Sequence, residues 1–220
     1  MPPSSKALEH CPLFSGIGEA ERGELLHCLQ AREKRVKKDE LLFCAGDKPS
    51  HVGVVLEGEV YVVQEDYWGN RTLITAIGEG GIFGEAFCCA QAAVLPVSVV
   101  AQREGRVLLL DNRHIRAAYP DGCAGHRRML DNLMRLLAEK NVTLTGKIRH
   151  MARKTIREKV LSYLSECAVA NGKNTFTIPF DRQEMADYLA VDRSALSAVL
   201  SKMKQEGIVD YHKNRFKLRE

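Results

Sequence analysis

The chain is predicted to be an α+β protein: a β-rich roll, one long helix, and a small helical unit ending in a hairpin. Three observations predict this order. Between about residues 30 and 111, short β-branched runs are broken at Gly46, Gly58, Gly69, Gly80, Gly81 and Gly105, the punctuation of a compact antiparallel barrel or jelly roll. After Pro120 that punctuation stops, and Leu130, Leu137, Leu144 and Met151 recur every seven residues. The last forty residues hold two short helical periods, a tight turn and two β-rich runs.

Ahead of the roll, residues 13–29 carry helical periodicity, with Leu25, Leu26 and Leu29 facing inward. The roll runs are ELLFCAGD, VGVVLEGEVYVVQED, TLITAIGEGG and VSVVAQREGRVLLLD, and Trp68-Gly69-Asn70 marks a hairpin tip. On the long helix, Met134, Asn141 and Ile148 follow four places after Leu130, Leu137 and Leu144. That is a coiled-coil seam, which predicts a parallel dimer through Leu130, Leu137, Asn141, Leu144, Ile148 and Met151, with Asn141 fixing the register. A hinge is expected at MARK, residues 151–154, followed by a helix over TIREKVLSYLSECAV.

In the final segment, Asp181 and Glu184 form a helix-capping pair, and Met185, Ala186 and Leu189 line the apolar face behind it. Ala190-Val191-Asp192 is a turn, and Asp192 caps a second helix with Leu196, Val199, Leu200 and Met203 inside. Gly207 stops that helix. Ile208, Val209 and Tyr211 begin a strand that returns at Lys213-Asn214 into Phe216 and Leu218. A second helix with small polar residues outside, followed by a basic hairpin, suits the DNA major groove.

With 220 residues and a net charge of +4, the chain has room for packed cores and a mildly basic surface. It has no run of eighteen apolar residues, and MPPSSKALEH lacks a secretory pattern, so a soluble cytoplasmic protein without a membrane segment is expected. Seven irregularly spaced cysteines and no CxxC pair predict reduced, mostly buried thiols and no metal site. Adjacent Cys88 and Cys89 are the exception to watch. With no P-loop and no Ser-His-Asp arrangement that the fold would assemble, an enzyme is not expected.

With this order of elements, the roll glycines, Phe83-Gly84-Glu85 and the run LAVDRSALSAVLSKMKQEGIV, the chain resembles the CRP/FNR family of bacterial transcription regulators over essentially its whole length. EDYWGNR and FGEAFCCA are similar to a branch from anaerobic bacteria whose effector is often unassigned. The resemblance implies a cupin-like, cyclic-nucleotide-binding-like jelly roll over 1–120, a dimerisation helix and hinge over 121–152, and a winged helix-turn-helix over 153–220. It further implies a homodimer on a palindromic double-stranded operator, with RNA polymerase as a second partner.

In the nucleotide-binding members, the position of Gly84 allows close backbone approach and that of Glu85 accepts from a ribose hydroxyl. An Arg-Ser pair ten and eleven residues later holds the phosphate. Here those positions are Leu95 and Pro96, neither of which offers a side-chain donor, so an effector other than cyclic AMP is implied. The apolar rim of Phe83, Phe87, Leu95 and Val97 suits a small molecule less anionic than a nucleotide. Leu144 and Thr145 mark the region where such members meet the nucleobase. Haem is a further possibility, through Cys88, Cys89, His114 or His126, with Pro2 as a ligand type known in one branch. Thiol redox chemistry at Cys88-Cys89 and an empty, purely structural roll stay open.

By the same resemblance, Arg193 contacts a phosphate or pairs with a guanine edge, and Ser194, Ser197 and Ala198 occupy the remaining recognition positions. Better-known members carry Glu at the first serine and Arg at the alanine, so their half-site preferences do not transfer. Lys202, Lys213, Arg215 and Lys217 are candidates for phosphate contacts, which supply affinity with little sequence choice.

Overall fold

The computed structural model describes residues 6–117 and 124–219. Pro2, Cys123 and the junction around Pro120 lie outside the described residues. The chain divides into two compact units, Met1–Ala138 and Glu139–Glu220. The division falls inside the long helix.

The first unit opens with α1 (Lys6–His10), a single 3-10 turn over Pro12–Phe14, and α2 (Glu19–Cys28). The helix expected over 13–29 is therefore interrupted, at a stretch where Gly16 sits at φ +72°. Leu25, Leu26 and Leu29 are buried as expected. The strands are β1 (Arg32–Val36), β2 (Leu41–Phe43), β3 (His51–Glu57), β4 (Val60–Glu65), β5 (Arg71–Ile77), β6 (Ile82–Phe83), β7 (Ser98–Ala101) and β8 (Gly105–Asp111). Short helices α3 (Glu85–Cys89) and α4 (Asn112–Arg116) flank the last two. One sheet runs β1-β8-β3-β6 and the other β2-β7-β4-β5, with every pairing antiparallel.

Period-two alternation explains why β3 and β8 look uniformly apolar. Val52, Val54, Leu56, Leu108 and Leu110 point into the core shared with α1, α2 and the long helix. Val55 and Val107 point the other way, into the interior of the roll with Val60, Phe83, Val99 and Ala101. Both faces are covered, so both sets of positions are hydrophobic. β1 escaped the sequence reading because REKRV is charged; it is held by its ladder to β8 and by Arg106 bridging Glu33 and Glu57 at 2.9 Å each. The expected hairpin tip is present: Gly69 takes φ +82°, and the Asp66 carboxylate accepts from the Trp68 and Asn70 amides, each at 2.9 Å.

Gly53 shows how tightly the interior is filled. A Cβ there would lie 2.0 Å from Cζ of Phe83, whose ring also tilts against Phe43 at 5.2 Å. Gly53→Ala is expected to destabilise this unit by about 1–3 kcal/mol through overpacking. Calorimetry should show a lowered midpoint, partly restored by adding Phe83→Leu.

The long helix, α5 (Ala124–Met151), lays His126, Met129, Asn132, Leu133 and Leu136 against the first unit. Asn132 donates to the carbonyls of Leu13 (3.1 Å) and Ser15 (2.8 Å), which ties the helix to the 3-10 turn. Leu130 and Leu137, expected in the seam, pack partly on this same core. Met134, Leu144, Ile148 and Met151 stay exposed along the seam.

The second unit continues with α6 (Ile156–Asn171), β9 (Thr175–Thr177), α7 (Arg182–Leu189), α8 (Arg193–Gln205), β10 (Val209–His212) and β11 (Arg215–Leu218). The break between α5 and α6 covers residues 152–155, where a hinge is expected. Thr155 and Glu158 cap α6 reciprocally. The strands pair in the order β10-β11-β9. Val160, Leu164, Met185, Leu189, Leu196, Leu200, Met203, Val209 and Phe216 form one core, which fixes α7, α8 and the hairpin as a single body.

Candidate nucleic-acid interface

Local chemistry sets the geometry of α7 and α8. Asp181 and Glu184 form the full reciprocal cap of α7. The helix ends at Ala190 in the left-handed region, φ +50°, and Lys159 donates from Nζ to the Leu189 (3.2 Å) and Ala190 (3.4 Å) carbonyls. Asp192 then caps α8, accepting from the Ala195 amide at 2.9 Å and from the Ser194 hydroxyl. These hydrogen bonds, Ser194's first, hold the Asp192 carboxyl below the usual carboxylate range.

The outward face of α8 carries the residues expected to read bases. Arg193 is exposed at the first helical position, and its guanidinium makes no ion pair among the described residues. Ser194 and Ala198 are exposed, and Ser197 is half-buried. The Ser197 hydroxyl donates to the Arg193 carbonyl at 2.9 Å, as the Ser194 hydroxyl does to Asp192. Lys202 is exposed on the same helix; Lys213, Arg215 and Lys217 are exposed on the hairpin, with Lys213 at φ +52° at its turn.

The sequence reading missed the groups that fix this surface from behind. Arg182, Lys204 and Tyr211 meet through cation–ring contacts. His150, in the last turn of α5, is 1 % exposed. Its Nδ1 shares a hydrogen bond with the Ser162 hydroxyl at 2.9 Å, and its ring packs edge-on to Tyr163 and beside Tyr188. Nε2 lies 3.3 Å from a Glu166 oxygen but is not aligned for a hydrogen bond. Burial, reinforced by Arg149 and Arg153 against the opposing pull of Glu166, lowers the His150 pKa. The unfolded chain then takes up this proton first. Stability from neutral His150 is fully present above about pH 6.5 and is lost as pH falls through the lower folded value. Chemical denaturation between about pH 7 and pH 5 should show that slope, and His150→Phe should flatten it.

In the roll, Gly84 adopts φ +80° at the N-terminus of α3, and Glu85 beside it is buried. Phe83 and Leu95 are also buried, so they pack the roll rather than forming an open rim; Phe87 and Val97 are half-buried. Leu95 is zipped by its backbone to the loop opposite, N to the Asp47 carbonyl and O from the Gly46 amide, both at 2.8 Å. Pro96 is exposed. Leu95 and Pro96, the positions that the resemblance assigns to the cyclic phosphate, supply no side-chain donor. Arg103 turns to the Gly58 carbonyl at 3.4 Å. Leu144 and Thr145 are exposed and belong to the second unit.

The Cys88 thiol donates to the His51 carbonyl at 3.3 Å, and burial pushes its pKa up to about 12; burial raises Cys89 as well. Neither favours the thiolate that redox or metal chemistry needs. His126 is buried with Nε2 3.0 Å from the Ile115 carbonyl, and His114 Nδ1 lies 3.8 Å from Asp111. Among the described residues, no group of three or more His, Cys, Asp or Glu is placed to hold a metal ion. No helix among them is long and apolar enough to cross a membrane.

Comparison with known proteins agrees with this architecture. A cyclic nucleotide-binding domain model matches residues 33–120, and a Crp-like helix-turn-helix domain model matches residues 158–220. A probable transcriptional regulator, Flp, of Lacticaseibacillus casei is 22% identical over 201 residues, covering 90% of this chain and 87% of its own. The Thermus thermophilus catabolite activator protein shares the fold with a TM-score of 0.50 at 22% identity, over 95% of this chain and 94% of that one. The c-di-GMP responsive global regulator CLP of Xanthomonas campestris does so with a TM-score of 0.53 at 15% identity, over 92% and 100%. Regulators of this type bind DNA and act as dimers; they are not enzymes. With both domain models in that order and together spanning more than half of its length, the chain belongs to the CRP/FNR family of transcription regulators.

Proposed function

We propose that the protein is a homodimer that reads a palindromic operator with α8 and grips the flanking phosphates with the β10–β11 hairpin. One observation carries this reading. At the start of α8, Arg193 is exposed and makes no ion pair among the described residues, Ser194 and Ser197 follow it along the helix, and basic residues stand exposed on the β10–β11 hairpin. Arg193 would pair with a guanine edge, while the Ser194 and Ser197 hydroxyls would donate to or accept from neighbouring base edges. Lys202, Lys213, Arg215 and Lys217 would neutralise phosphates. In this role the protein works in the cytoplasm and hands its signal to RNA polymerase.

The effector, in this reading, is a small molecule other than cyclic AMP that acts through the roll. Support comes from Leu95 and Pro96, which leave a buried phosphate without its donors. An effector shifts the operator-competent arrangement only by binding it more tightly than the alternative. The break after Met151 is where the helix-turn-helix would be re-aimed.

Operator selection from random duplexes, with sedimentation of the recovered complex, tests the reading. A two-fold symmetric site with half-sites about one helical turn apart is expected. Adding cyclic AMP should leave the affinity unchanged. Recovery of no preferred site, or of a single half-site bound by a monomer, would sink the proposal. Equal affinity with and without cell extract would favour a constitutive regulator whose roll is a scaffold.

A further inference from the structure

Beyond the shared core, one aromatic ring of the hairpin meets a cation from each helix of the helix-turn-helix. The Arg182 guanidinium lies 5.1 Å from the Tyr211 ring centroid, and the Lys204 ammonium 5.2 Å from it. Arg182 is also 5.6 Å from the Phe216 ring, which lies tilted beside Tyr211 at 5.7 Å. The backbone completes the arrangement. Arg182 Nη2 donates to the Lys213 carbonyl at 3.3 Å, and Lys204 Nζ donates to the Tyr211 carbonyl at 3.3 Å. Lys204 is further held by Asp210 at 2.7 Å.

The positions of these cations in the fold are informative. Arg182 opens α7, the end of a helix where the dipole disfavours positive charge, so contacts beyond the helix must hold it there. Lys204 lies in the last turn of α8. A single ring on β10 therefore touches a cation from each helix, and one of those cations grips the carbonyl at the hairpin turn. Cation–ring contacts of this kind are individually modest but directional.

We propose that Arg182, Tyr211 and Lys204 form a clamp that sets the hairpin turn against α8, so that Lys213 and Arg215 reach phosphate. The proposal rests on the reading of α8 and the hairpin as the DNA interface. The three residues act here as positioning residues. The clamp governs how many phosphates the wing neutralises and leaves base choice to α8.

Tyr211 gives the clean test, because replacing it alters no charge. In the full-length protein, Tyr211→Phe keeps the ring and should bind the selected operator as the unaltered protein does. Tyr211→Leu should bind roughly tenfold more weakly. Its slope of log K against log salt should fall by about 1–2, near 0.9 for each phosphate the wing no longer neutralises. The ranking of single-base operator changes should be the same for all three proteins. An unchanged salt slope in Tyr211→Leu overturns the clamp, and so does an equal weakening in Tyr211→Phe. If Tyr211→Leu folds poorly, Arg182→Met serves instead. It should raise amide exchange at the Lys213–Arg215 turn in the free protein, and unchanged exchange there overturns the clamp. Failure of the unaltered protein to prefer any operator is a different result, and it removes the interface reading itself.

Discussion

Arg193→Ala is expected to abolish specific operator binding while leaving the fold and the dimer intact. The guanidinium stands exposed at the first position of α8 and makes no ion pair among the described residues, so truncating it breaks no internal salt bridge there. A bidentate arginine–guanine pair contributes about 1–3 kcal/mol of discrimination, and a symmetric dimer loses it at both half-sites. The combined loss, about 2–6 kcal/mol, removes a large part of the roughly 4–10 kcal/mol that separates specific from nonspecific binding. Quantitative footprinting at several salt concentrations separates the two roles open to this residue. A base contact gives a loss confined to operators with the preferred base, at an unchanged salt slope. A phosphate contact gives a uniform loss across sequences, with the slope reduced by about one per phosphate. Unchanged footprints would mean that the base-reading surface lies elsewhere.

The second large effect is expected at the helix seam. Ile148→Asp should split the dimer, because two-fold symmetry would bring two carboxylates into an apolar interface. Introducing an unpaired buried charge costs about 3–5 kcal/mol, which is roughly a hundredfold or greater rise in the dimer dissociation constant. The structure selects this position over Leu137, the obvious choice from heptad spacing. Leu137 packs partly on the roll's own core, so an aspartate there would damage the fold and the dimer together. Ile148 is 66% exposed in the single chain, so its substitution reports on the partner alone. Sedimentation velocity at low protein concentration reads the outcome. A persistent dimer would place the interface off this seam.

The same contrast between local and distant signals runs through the whole chain. The capping pair Asp181–Glu184, the Asp192 cap, the stop at Gly207 and the return at Lys213-Asn214 were all legible, because each is an interaction within a few residues. The roll glycines were legible for the same reason: Gly58 and Gly69 occupy left-handed conformations that other residues rarely adopt. β1 was not, because its charged residues are held by pairing with β8, some seventy residues away. Nor was the split role of the heptad leucines, since spacing shows that Leu130 and Leu137 share a face but not what covers it.

By itself, the sequence determined the order of the main blocks, the start and end of α7 and α8, and the lack of a side-chain donor at Leu95 and Pro96. Side-chain type and short-range backbone chemistry suffice for those. Only the tertiary structure decided that Phe83 fills the space above Gly53 and that His150 is buried between Ser162, Tyr163 and Tyr188. It likewise decided that Arg182 and Lys204 meet on the ring of Tyr211. In each case the partners lie on different elements, and they touch only once packing has brought those elements together.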